Sequence, residues 1–161
     1  MAAVLAAISA IVDAQKQGGN MTILSKAEAE AILKQNFAPW IVELDLRFES
    51  LEKGRVVLRL PNNPRLNRMG GVLCGQALMA VADTAMVFAV STAQAGFSDM
   101  ATVSQNTSFF RAAIDTDVLC EARVVRMGRT LAFGDVVFRT LGGDAPIAQA
   151  TLTYALSAPK K

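Results

Sequence analysis

Asp83 stands alone in a long apolar stretch, GGVLCGQALMAVADTAMVFAV over residues 70–90. An ionised carboxylate in apolar surroundings is costly unless a partner or a task keeps it there. Such a group can act as a general base or as a nucleophile. The glycine-rich turn ahead of it, Gly70 to Gly75, opens a helix. The first N–H groups of a helix have no partner within it and carry partial positive charge. A carbonyl oxygen placed there would be polarised, and Gly75, having no Cβ, would let it come close. Cys74 at the same turn could attack an acyl group itself, but nothing in the chain is suited to take its proton. Histidine is absent from all 161 residues. That excludes Ser-His-Asp and Cys-His catalysis, histidine-based zinc sites and a histidine-dependent dehydratase.

The elements that must position these groups can be read along the chain. Ser25-Lys-Ala-Glu28 is a capping box opening a helix over about 26–36, with Pro39 ending it. Residues 40–50 alternate as a half-buried strand, with Ile41, Glu43, Asp45 and Arg47 set against Val42, Leu44, Leu46 and Phe48. Glu52-Lys-Gly54 turns the chain so that 55–60 pairs back as a hairpin. A loop from Pro61 to Gly71 leads into the long helix, about 74–94, which Gly96 stops. Four strands follow, about 100–110, 117–127, 130–141 and 146–157, with clean period-2 alternation in the last. One apolar helix among so many strands predicts an α+β fold with the sheet curling over that helix. A membrane span over 72–93 is the rival reading. Asp83 would then lie in hydrocarbon at a cost of roughly 3 kcal/mol, so a buried helix of a soluble domain is expected instead.

Hydrophobic content of 52% with 19% charged residues fits one globular domain, and a net charge of +2 is too small to suggest nucleic acid. Residues 1–20 read as an N-terminal extension, a loose helix ending at Gly18-Gly19, with 21–158 forming the domain; the extension lacks the basic start of a signal peptide. Met21 offers an alternative start, and Pro159-Lys-Lys161 reads as a solvated tail. The two cysteines, Cys74 and Cys120, lack CxxC spacing and fit reduced thiols in a cytoplasmic protein.

Three segments, in order and with matching gaps, resemble the hotdog fold and, within it, the PaaI-like acyl-CoA thioesterases. Gly70-Gly-Val-Leu-Cys-Gly75 followed by Asp83 is similar to the family's G-x-V-H-G-G turn and the single Asp of the helix behind it. Thr102 to Arg111 is similar to its strand that opens on Thr and closes on Phe-x-Arg. Gly128-Arg-Thr-Leu-Ala-Phe133 is similar to its G-R-x-L-A turn and strand. The chain departs at two places: Cys74 stands at the histidine, nine positions before Asp83, and Gln76 replaces the second glycine.

The resemblance implies a curved antiparallel sheet wrapped around one long central helix. It implies hydrolysis of an acyl-CoA to a carboxylic acid and free CoA. Asp83 would be general base or nucleophile, the Gly75 N–H would polarise the thioester carbonyl, and Thr102 would help hold the attacking water. Asn67, or Asn62 or Asn63 in its place, would help bind the carbonyl. Cys74 and Gln76 would border the substrate, and Arg111, Arg126 and Arg129 would face the CoA phosphates. Asp83 lies roughly 13 Å of helical rise beyond the turn. The resemblance therefore implies a homodimer, in which the helix N-terminus of one subunit faces the Asp of the other, and a homotetramer built from two dimers. No metal or redox cofactor is expected, CoA entering as part of the substrate, and neither nucleic acid nor membrane is expected as a partner. A non-catalytic acyl-CoA-binding module on the same fold is the alternative, since fold does not fix function.

Overall fold

The computed structural model describes residues 24–94 and 96–157. The readings made for the first 20 residues, for Met21 as a start and for the C-terminal tail lie outside the described residues. Helix α1 (Lys26–Asn36) opens on the expected capping box: Glu28 N–H donates to Ser25 Oγ, and the Glu28 carboxylate accepts from the Ser25 N–H at 2.8 Å. Two orphan donors are satisfied at once, which is why so short a helix starts where the sequence says.

The segment after it departs from the expectation. Residues 39–42 are not strand but a one-turn helix, α2 (Pro39–Val42), and Pro39 begins that helix rather than ending α1, whose C-cap is Phe37. Proline suits the first helical position, where its fixed φ fits and its missing N–H is not needed. The apolar residues also serve a helical turn, since Ile41 and Leu44 are both buried. Asp45 then turns the chain at φ +53, and strand β1 (Arg47–Glu52) starts only beyond it. Strand β2 (Arg55–Leu60) pairs back as expected. The predicted loop contains a 3-10 turn at Pro64–Leu66 and a small hairpin of β3 (Asn67–Arg68) and β4 (Val72–Leu73). Gly70 and Gly71 close that hairpin at φ +86 and +71, a region costly for other residues.

Helix α3 (Gly75–Ala93) is followed by β5 (Met100–Phe109), β6 (Val118–Met127), β7 (Leu131–Thr140) and β8 (Pro146–Leu156). The six long strands form one antiparallel sheet in the order β1-β2-β6-β7-β8-β5. α3 lies across its inner face, touching β2, β6, β5, β7 and β8. This is the α+β arrangement expected, and it explains why α3 is apolar all round. Its most apolar window is 67% buried within the protein, so the sheet covers the stretch long enough to cross a membrane. Phe88 sits under the turn after α1, its ring edge-on to Phe48 at 4.8 Å and stacked on Phe37 at 5.6 Å. The Gly96 N–H closes the helix on the Ser91 carbonyl at 2.9 Å.

Helix and sheet are in tight contact at Gly134, where the Met86 side chain of α3 leaves no room for a Cβ. A Cβ there would collide with the Met86 thioether and lie 2.7 Å from the Arg123 carbonyl oxygen. The thioether can move, but the carbonyl belongs to the ladder with β6. Gly134→Ala is therefore expected to cost about 2 kcal/mol, within the range of overpacked cores. Urea unfolding measures it, and an unchanged midpoint would mean that Met86 and β6 yield freely. On the outer face, Arg55 and Arg123 converge on Glu121, Arg55 Nε at 2.9 Å from Oε1. These bonds hold the Glu121 carboxyl below its usual range.

Candidate active site

Asp83 projects from the middle of α3 toward the edge of the sheet formed by β8 and β5. Thr102 on β5 and Tyr154 on β8 are cross-strand partners. Both hydroxyls reach Asp83 Oδ1: Thr102 Oγ1 donates at 2.7 Å, and the Tyr154 hydroxyl makes a shorter contact with the same oxygen. The Tyr154 hydroxyl also lies 2.8 Å from the Asp83 carbonyl oxygen. The strand register shifts between Thr102 and Ser104, so the bulge leaves Thr102 opposite Tyr154. Bulges commonly re-aim a side chain in this way. Among the described residues no donor is bonded to Asp83 Oδ2. One carboxylate oxygen is clamped, and the other is left for a water or an electrophile.

Tyr154 is the residue that sequence reasoning missed. It is 1% exposed, and burial first, then its bond to Asp83, pushes the phenol well above its ordinary range. It therefore stays protonated and remains a donor. A signal was present, because the alternation of β8 turns Leu152, Tyr154 and Leu156 to one inner face. A phenol turned inward needs a hydrogen-bond partner.

At the other end of α3, Cys74 occupies the N-cap position without any side-chain cap bond. Serine, threonine or aspartate there would accept from the Gln76 or Ala77 N–H; Cys74 does not, and the Gly75 N–H, like the others of the first turn, has no acceptor within the helix. The turn is tied down by the Cys74 N–H on the Leu66 carbonyl at 2.9 Å and the Leu73 N–H on that of Ala113 at 3.0 Å. The Phe109 ring packs over Gly75, where an added Cβ would lie 3.0 Å from its Cζ. Beside this turn a cleft of about 300 Å3 is bordered by Cys74, Gln76, Asn63 and the Trp40 side of α2. Gly75 and Asp83 are separated by roughly 12 Å of the same helix. The chain brings Asp83, Thr102 and Tyr154 together at one place, and Gly75, Cys74 and Gln76 at another.

Of the remaining candidates, Asn67, Arg111, Arg126 and Arg129 are not in that cleft's lining. Asn67 is the first residue of β3, whereas Asn63 borders the cleft, its side chain accepting from the Arg65 N–H at 3.0 Å. Arg111 donates to the Pro146 carbonyl at 2.8 Å. Arg126 and Arg129 lie at the β6–β7 turn, exposed and without an ion pair among the described residues. Both cysteines are free thiols, and burial raises that of Cys120 well above its ordinary range. Among the described residues, no group of three His, Cys, Asp or Glu side chains is placed to hold a metal.

Strand β5 forms a free edge beside Asp83. It pairs on one side only, with β8, and most of its ten residues are exposed. Val103 and Phe109 on it and Phe110 just beyond its end stand 60, 51 and 49% exposed.

The pattern of the Thioesterase superfamily matches residues 70–147, which span the α3 turn, Asp83, Thr102 and Gly134. A curated relative from Saccharolobus solfataricus, named "Putative esterase SSO1253", is 30% identical over 118 residues, covering 71% of this chain and 74% of the relative. The chain belongs to the thioesterase superfamily. Zebra fish Thioesterase Superfamily Member 2 is 26% identical, with a TM-score of 0.72 over 82% of this chain and 95% of that one. A Streptococcus pneumoniae hypothetical thioesterase with coenzyme A shares the fold at a TM-score of 0.65 and 20% identity, covering 72% of this chain and 88% of that one. The architecture is thus the hotdog fold, and within this superfamily the chemistry is thioester hydrolysis.

Proposed function

We propose that this thioesterase is of the PaaI-like type and acts on acyl-CoA, releasing a carboxylic acid and free CoA. The observation that carries this is the Asp83 carboxylate, clamped at Oδ1 by two hydroxyls and open at Oδ2. Coenzyme A on the Streptococcus pneumoniae neighbour supports the CoA portion of the substrate. Asp83 Oδ2 takes a proton from water as the water oxygen attacks the thioester carbon. The carbonyl oxygen becomes negative and is held by a helix N-terminal N–H, that of Gly75. Collapse expels the CoA thiolate, which recovers the proton from Asp83. Alternatively, Oδ2 attacks the carbon directly, and water then hydrolyses the mixed anhydride. Neither course needs a metal or a redox cofactor.

In this reading the two halves of the site come from two subunits. A second copy adding its β5 alongside the first would pair the free strand edge and cover the exposed Phe109 and Phe110. Such a dimer brings the partner subunit's Gly75 toward Asp83, which its own Gly75 does not reach. A pair of such dimers would form the tetramer. Arg129 and Arg126, which have no ion pair among the described residues, would face the CoA phosphates, and Arg111 keeps donors beyond its bond to the Pro146 carbonyl.

The direct test incubates the protein with acyl-CoA thioesters of short, medium and aromatic acyl groups and follows free CoA with a thiol reagent. Turnover of at least one is expected; binding of every one without release of CoA would favour the non-catalytic binding module. Cys74→Ala is expected to keep most of the activity, within about three-fold, because among the described residues no hydrogen bond joins the Cys74 thiol to a base. A loss as large as that of an Asp83 variant would make Cys74 the nucleophile instead.

A further inference from the structure

The Tyr154 hydroxyl meets Asp83 twice. It donates to Oδ1 of the side chain and lies 2.8 Å from the main-chain carbonyl oxygen of the same residue. A phenol has one proton to give. Facing two acceptors of one residue, it closes a ring that runs through both side-chain torsions of Asp83. Both torsions are then held, and Oδ1 and Oδ2 do not exchange by rotation about Cβ–Cγ. Thr102 alone does not achieve this. Its hydroxyl touches only Oδ1, at 2.7 Å, from an exposed position on the free-edge strand β5. A carboxylate turned half a rotation would offer Thr102 its other oxygen at the same place. The Tyr154 ring, by contrast, belongs to the buried core.

We propose that Tyr154 is a positioning residue for thioester hydrolysis: by bridging the side-chain and main-chain oxygens of Asp83, it fixes Oδ2 as the one oxygen that reacts. The inference rests on the thioesterase reading above. A ring already locked by packing loses little freedom when it makes the bond, so the clamp is built before substrate arrives. Burial first, and then the neighbouring carboxylate, keep the phenol protonated, so it gives a bond and never its proton. When Oδ2 takes a proton from water, Oδ1 becomes an uncharged and weaker acceptor. The main-chain carbonyl is then a second seat for the phenol hydrogen, and the buried donor has a partner at either stage. Tyr154 touches neither the water nor the thioester and acts only through Asp83. Asp83 is the only charged residue of α3, and β5 and β8 have none. The inward-facing residues of β2, β6 and β7 add only the neutral Cys120 thiol.

Tyr154→Phe removes the hydroxyl and keeps the ring. It is expected to lower kcat about 20-fold with KM within about two-fold, the pattern of a misplaced reacting group. The acid limb of kcat/KM should move up by about one pH unit, because the charged carboxylate loses a donor that favours it. Tyr154 is also the only tyrosine in the chain. Full-length protein carrying 13C at the hydroxyl-bearing ring carbon of tyrosine therefore gives one such resonance. In the parent that resonance should move with pH along the acid limb of the rate profile, and in Asp83→Asn it should stay still. This measurement needs no change at position 154, so it decides even where Tyr154→Phe does not fold. A Tyr154→Phe kcat within two-fold of the parent overturns the positioning role. So does a loss of kcat with an unmoved acid limb and a lowered unfolding temperature, or a parent resonance indifferent to pH. Each of these leaves the thioesterase reading intact. A resonance that follows Asp83 in a protein that hydrolyses no thioester supports the bridge and removes the hydrolase reading.

Discussion

Asp83→Asn is expected to lower kcat for acyl-CoA hydrolysis about 10³-fold with the fold intact, the scale of losing a positioned base. The amide is nearly isosteric with the carboxylate, and its oxygen can still accept from Thr102 and Tyr154. What disappears is the negative charge and the basic oxygen at Oδ2. Asp83→Ala should cost at least as much activity. It leaves the Tyr154 hydroxyl the backbone carbonyl of residue 83, so that buried phenol does not lose every partner. The measurement is steady-state kinetics paired with thermal unfolding of both variants. If Asp83→Asn keeps more than a tenth of the parent kcat, Asp83 is a structural hydrogen-bonding hub that ties α3 to β5 and β8.

The second large effect is expected at the opposite end of α3. Gly75→Ala should lower kcat/KM about 10²-fold while leaving stability unchanged or higher. Gly75 does not have the positive φ of Gly70 or Gly71, and alanine is the better helix former. Folding therefore has no need of glycine at this position. The new methyl group would instead press on Phe109, 3.0 Å from its Cζ, and occupy the approach to the N–H. Rising stability together with falling activity would mark a glycine kept for access. A fully active Gly75→Ala would move the polarising role to another donor of the first turn, the Gln76 N–H.

These two expectations differ in how far the sequence could support them. The glycine turn is local: Cys74, Gly75 and the apolar run behind them announce a helix start, and it forms there. Asp83 was conspicuous for the same kind of reason, one charge in an apolar face. Its environment was not legible in the same way. Thr102 lies 19 residues from Asp83 and Tyr154 lies 71 away. Only the register of β5 on β8, shifted by a bulge, brings the two hydroxyls to one oxygen. Thr102 could be singled out from a family resemblance, whereas Tyr154 read as one more apolar residue of an alternating strand.

Residues 39–46 show a related limit. A short apolar run fits either a strand or a helical turn, and alternation alone favoured the strand. Pro39 and the burial of both Ile41 and Leu44 decided for the turn, and with it the direction of Trp40. The sequence by itself determined the order of the two longer helices and the six long strands, the limits of α1 and α3 to within a residue, and the lone carboxylate of the core helix. Each of these depends on side chains within a few positions of one another. Only the tertiary structure decided which oxygen of Asp83 is clamped, that β5 is left as a free edge beside it, and that Trp40 borders a cleft next to Gly75. Those depend on contacts between distant segments, which no local pattern encodes.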